Sequence, residues 1–81
     1  MKIYCVMNDK GYLYNLFKSK DEAIEYAGTT AKWLASFHGE NEITGRKLQG
    51  DTDIIYVYEI IGKPKKSNKR QYVKVVEKEL N

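Results

Sequence analysis

The sequence predicts an α+β fold, a four-stranded and mainly antiparallel sheet with one helix packed on one face, in the order ββαββ. Three observations carry this. Two short apolar stretches flank a turn-forming run, "NDKG", near the start of the chain. A capped stretch of helical periodicity follows. Two further strand-like segments, "TDIIYVYEIIG" and "QYVKVVEKEL", complete the pattern. At 81 residues this is one domain spanning 1–81. A chain of this length buries roughly 60% of its unfolded surface, so one sheet and one helix are about what it can support.

The first strand is "KIYCVMN", in which Ile3, Cys5 and Met7 alternate with Tyr4 and Val6. Asn8 to Gly11 supplies turn formers and a glycine able to take positive φ. "YLYNLFK", Tyr12 to Lys18, reads as the second strand of a hairpin. Ser19 then opens a helix. Its hydroxyl suits the orphan amides of the first turn, and Glu22 stands where a capping box needs an acid. Asp21, Glu22 and Glu25 also favour the positive end of the helix dipole. Ile24, Ala27, Ala31 and Leu34 recur at helical spacing, with Ala23 and Phe37 beside them, and His38-Gly39 is a stop signal. "GTT", Gly28 to Thr30, costs helix propensity, about 1 kcal/mol for the glycine. Either one helix runs through it, or the chain breaks there and Thr29 or Thr30 caps a second short helix. The apolar stripe keeps its phase across the glycine, which favours a continuous or slightly bent helix in which a small residue lets the helix sit close to the sheet.

Glu40 to Asp51 is polar, carries Gly45 and Gly50, and reads as a long loop and a candidate functional one. Thr52 to Gly62 is apolar on both faces, as in a central strand. Gln71 to Leu80 ends the fold. Its Tyr72, Lys74, Val76, Lys78 face is mixed, which suits an edge strand.

The net charge is +3, and all of the excess lies in the second half: residues 1–40 hold five Lys and five acids, residues 41–81 nine Lys/Arg and six acids. Five of those positive charges fall between Lys63 and Arg70. Lys65, Lys66, Lys69 and Arg70 are candidates to neutralise phosphates. Pro64, Ser67 and Asn68 mark the same run as a solvated hairpin loop, and an acidic protein would suit the charges equally well.

Seven tyrosines form the second candidate feature. With Ile3, Cys5, Met7, Ile55 and Val57 turned to the helix, Tyr4, Tyr56 and Tyr58 lie on the open sheet face. Such a face can stack bases or anchor a partner protein, and tyrosine is also an ordinary strand residue. Trp33 and Phe37, four apart, share one side of the helix, at the edge of the core or as an anchor for a partner.

Nothing in the sequence assembles a catalytic site, so a non-enzyme is expected. The single histidine, His38, stands near a helix end. Asp51 and Asp53 are not followed by a loop of ligands, Cys5 and His38 alone cannot hold zinc, and no phosphate-cradling glycine motif occurs. No cofactor and no metal are expected. The lone Cys5 has no disulfide partner in the chain, which fits a reducing cytoplasm. No signal pattern is visible, and no apolar run approaches the roughly 18 residues that span a membrane.

The stretch "KIYCVMNDKGYLYNLFKSKDEAIEYA" resembles the start of small accessory proteins of bacteriophages and their bacterial hosts. In these a Lys-[aliphatic]-Tyr hairpin leads into a Ser-Lys-acid capped helix, and a Tyr-rich strand like "IIYVYEII" follows. The resemblance covers most of the chain and carries no catalytic or ligand residues. It implies a binding protein that inhibits or modulates a bacterial host protein, in host takeover or anti-defence, within the host cytoplasm. The alternative is a small nucleic-acid-binding module using the basic 63–70 hairpin and the strand tyrosines. A structural homodimer is the third reading.

Overall fold

The computed structural model describes residues 1–38, 41–50, 52–62 and 70–80. Their first element is the expected hairpin: β1 (Lys2–Asn8) pairs antiparallel with β2 (Leu13–Phe17). Asn8 organises the turn. Its Oδ1 accepts from the N–H of Lys10 at 2.9 Å and of Tyr12 at 2.8 Å, and its own N–H donates to the Tyr12 carbonyl at 2.9 Å. Gly11, at φ 88°, takes the left-handed conformation that closes this turn.

α1 (Lys20–Ala35) runs unbroken through Gly28 and ends in a 3-10 turn at Ser36–His38. Ser19 is its N-cap, and the hydroxyl oxygen accepts from the Glu22 N–H at 3.3 Å. The buried row is Ala23, Ala27, Ala31 and Ala35, one residue every four. Alanine has no bulk beyond Cβ, so this face lies close on the sheet. Ile24 and Leu34 flank the row, half-buried.

Among the described residues the sheet has five strands, not four, all antiparallel, in the order β2-β1-β5-β4-β3. The additional one is β3 (Asn41–Lys47), inside the segment expected to be a loop. It pairs with β4 (Ile54–Gly62) along its whole length. Its polarity hid it: as an edge strand it needs few apolar residues, and Ile43 opposite Ile60 supplies the contact with the core. The chain therefore passes from one sheet edge, β2, through α1 to the other edge, β3.

β5 (Arg70–Glu79) is the middle strand, hydrogen-bonded to β1 and β4, and not the edge expected from its charges. Val73 and Val75 point to the helix and are fully buried with Val6. Burying each such valine contributes about 1.5–3 kcal/mol. Lys74 and Lys78 belong to the opposite face, where solvent accepts their charge.

Candidate functional site

Cross-strand partners share a face, so the register sorts the side chains. Tyr58 pairs with Val73 and Tyr56 with Val75, both on the helix side. Tyr4 joins them there, packed against the same core cluster. The expected arrangement is thus inverted: Tyr4, Tyr56 and Tyr58 lie under the helix. Ile3, Cys5, Met7 and Val57 lie on the face away from the helix, where Cys5 and Val57 are nonetheless buried, and of the set expected at the helix only Ile55 packs on the helix-side cluster. A break in strand register between Ile54 and Tyr56 is one cause. It inserts Ile55 and turns the tyrosines after it inward.

Tyr58 is held between two glycines. An ideal Cβ on Gly28 would stand 3.0 Å from its hydroxyl, and one on Gly45 2.7 Å from its ring. Burial pushes the Tyr58 phenol above its ordinary pKa, helped by the neighbouring Tyr56, whose ring centroid is 5.0 Å away. The Tyr4 hydroxyl donates to Glu77 Oε1 at 3.2 Å, and Lys2 Nζ lies 3.7 Å from the same oxygen. Lys65, Lys66 and Lys69 lie outside the described residues. Arg70 opens β5 opposite Ile61.

The aromatic residues that do reach solvent are elsewhere. Tyr12, Tyr14, Tyr26 and Trp33, with Thr29 and Thr30, line a groove of about 490 Å³ between β2 and α1. Tyr12 and Tyr14 form a T-shaped pair at 5.1 Å, and Trp33 and Phe37 another at 4.9 Å. Tyr12 is 63% exposed, Trp33 56% and Phe37 63%. Here too a register break acts: Tyr14 is the extra residue between the Val6–Asn15 and Met7–Leu13 pairs, and it packs against the helix-side core. Burial raises the Tyr14 phenol, with a hydrogen bond from the Asn8 side chain acting in the opposite direction.

The sequence pattern set Trp33 with Phe37 on one side of the helix but did not join them to Tyr12 and Tyr14 of the hairpin, and Tyr26 was passed over. The signal was present: Tyr26, Thr30 and Trp33 stand at helical i, i+4, i+7 spacing, on a stripe beside the alanine row.

The groove carries no acid, base and nucleophile together. Among the described residues no three His, Cys, Asp or Glu side chains cluster to hold a metal ion, and no helix is long and apolar enough to cross a membrane. No family model, curated protein or solved structure matches the chain.

Proposed function

We propose that this chain is a non-enzymatic binding protein that engages another protein through the aromatic groove between β2 and α1. The observation that carries the reading is the exposure of Tyr12 and Trp33 on facing walls of one groove. Large rings left in solvent have a hydration cost that a partner removes, and Trp and Tyr dominate the energetics of protein interfaces. The rings are also held in place before any partner arrives, Tyr12 against Tyr14 and Trp33 against Phe37, which lowers the entropy lost on binding. That the partner is a bacterial host protein, inhibited or modulated in the host cytoplasm, rests on the resemblance of the N-terminal stretch and helix to bacteriophage accessory proteins.

The nucleic-acid reading keeps the basic run from Lys63 to Arg70 as its support but loses its stacking platform, since Tyr56 and Tyr58 lie beneath the helix.

The test is a tagged pull-down from bacterial lysate, split into nuclease-treated and untreated halves, with the wild type beside Tyr12→Ala and Trp33→Ala. One protein held at near-stoichiometric amount in both halves, and lost from both variants, is the expected result. Material released by nuclease, or retained equally by the variants, contradicts the proposal.

A further inference from the structure

Resting on the groove as the contact surface, we infer that its occupant is a short proline-containing segment in polyproline II conformation, carrying a basic residue at one end. Four observations point there.

The groove does not stop at the aromatic rings. Tyr26 and Thr29 are shared with an adjoining hollow of about 260 Å³ whose other walls are Phe17, Glu22 and Glu25. The result is one trough with an aromatic stretch and an acidic end, on a chain whose net charge is positive. Such an end complements a cation on an extended ligand. From Glu22 to Trp33 the helix rises about 16 Å. A polyproline II segment covers that distance in about five residues.

The aromatic pairs meet edge to face, at 71° for Tyr12–Tyr14 and 86° for Trp33–Phe37. Phe37 stands outside the lining, so Tyr12, Tyr14, Tyr26 and Trp33 are the rings a ligand meets, and the compact pyrrolidine ring, preset in a low-entropy extended chain, packs on exposed aromatic rings with little ordering cost.

Among the lining residues the tyrosine hydroxyls, the Thr30 hydroxyl and the Trp33 indole N–H are the groups able to donate hydrogen bonds, while the Thr29 hydroxyl already donates to the Glu25 carbonyl at 3.2 Å. A proline-rich backbone offers carbonyls and few N–H groups, so donors are what it requires.

An added β-strand is the competing way to seat a peptide here, because β2 is a sheet edge. The Leu16 N–H on that edge strand is taken by its neighbour's side chain, the Asn15 Oδ1, at 2.8 Å. The edge is thereby blunted toward strand addition.

The experiment is a synthetic array of seven-residue peptides with a Pro-x-x-Pro core and randomised flanks, beside an array with alanine at both prolines. Hits are then titrated against the full chain, with Trp33, its one tryptophan, as the fluorescent reporter. The expected result is selection of the proline array with Arg or Lys at one flank and a saturable change in Trp33 emission. Amide NMR shifts follow binding where Trp33 is replaced. Tyr12→Ala and Trp33→Ala weaken the best peptide by about 30-fold or more. Glu22→Gln with Glu25→Gln weakens it by about fivefold and removes the preference for a basic flank. Equal capture by the alanine array, or a basic preference unchanged without the two acids, overturns the inference. Capture of neither array by a chain whose pulled-down partner is still lost on Trp33→Ala also overturns it, and leaves the binding role standing. A partner that binds Trp33→Ala as well as wild type removes the binding role itself.

Discussion

The Tyr58 hydroxyl lies 3.0 Å from the position that a Cβ on Gly28 would occupy. Gly28 is thereby explained: the helix accepts a poor helix former because a tyrosine from β4 rises against its backbone. The same ring excludes a side chain at Gly45 on β3, so one residue sets the spacing of three elements.

Substitution at the two glycines should give different results. At Gly45 the obstacle is the body of the Tyr58 ring together with the Tyr56 hydroxyl, 2.9 Å from the same point, and Gly45→Ala is expected to cost about 1–3 kcal/mol. At Gly28 it is the hydroxyl end of the side chain. Gly28→Ala is expected to forfeit most of the roughly 1 kcal/mol that alanine contributes in a helix. Part of the gain should return when Tyr58→Phe removes the oxygen, because the ring carbon Cζ still stands 3.2 Å from the added Cβ. Denaturant unfolding of the single and double variants measures this coupling.

The facing of β5 is tested by contrasting its two sides. Val73→Ala or Val75→Ala empties a fully buried site and is expected to cost about 2–3 kcal/mol. Lys78→Ala, exposed on the same strand and on the face away from the helix, should change stability by no more than about 0.5 kcal/mol. Similar losses at all three positions in urea unfolding would contradict this assignment of faces.

Removal of the Asn8 side chain leaves two turn N–H groups without their acceptor. Asn8→Ala is expected to cost about 1–2 kcal/mol, read as a lower unfolding midpoint. Asn8→Asp keeps the acceptor and should cost less.

Alkaline pH should destabilise the fold through its tyrosines. Burial, the largest cause, raises the phenols of Tyr4, Tyr14 and Tyr58 above their ordinary value near 10. Above that value the unfolded chain loses these protons before the folded one does, so stability falls with rising pH. The contribution is complete below the ordinary value and is lost as pH rises through the raised one. Tyr58→Phe should flatten this dependence, followed by phenolate absorbance together with circular dichroism.

How much of this was legible in the sequence depends on where the information lay. The hairpin and the Ser19 cap are local features, and local residues announced them. Continuity of the helix across Gly28 was favoured by the phase of the apolar stripe but decided by the packing of Tyr58 and the sheet. β3 was hidden because an edge strand with one residue reaching the core, Ile43, lacks apolar alternation. β5 looked like an edge because Lys74 and Lys78 alternate with apolar residues, yet one bare face is enough to solvate charges on a middle strand. The faces of Tyr56 and Tyr14 depended on two register breaks, and a one-residue insertion reverses every parity argument beyond it. The groove joins a strand to a helix stripe, a relation that only the packing reveals, though each half was visible by itself.

The most direct test of the account compares the affinity of the purified partner for wild type, Tyr12→Ala, Trp33→Ala and a surface control, Lys78→Ala, with folding of each checked by circular dichroism. The account predicts losses of about 30-fold or more for the two aromatic variants and none for the control. Unchanged affinity in well-folded Tyr12→Ala and Trp33→Ala would place the contact elsewhere on the molecule and contradict the assignment of the groove.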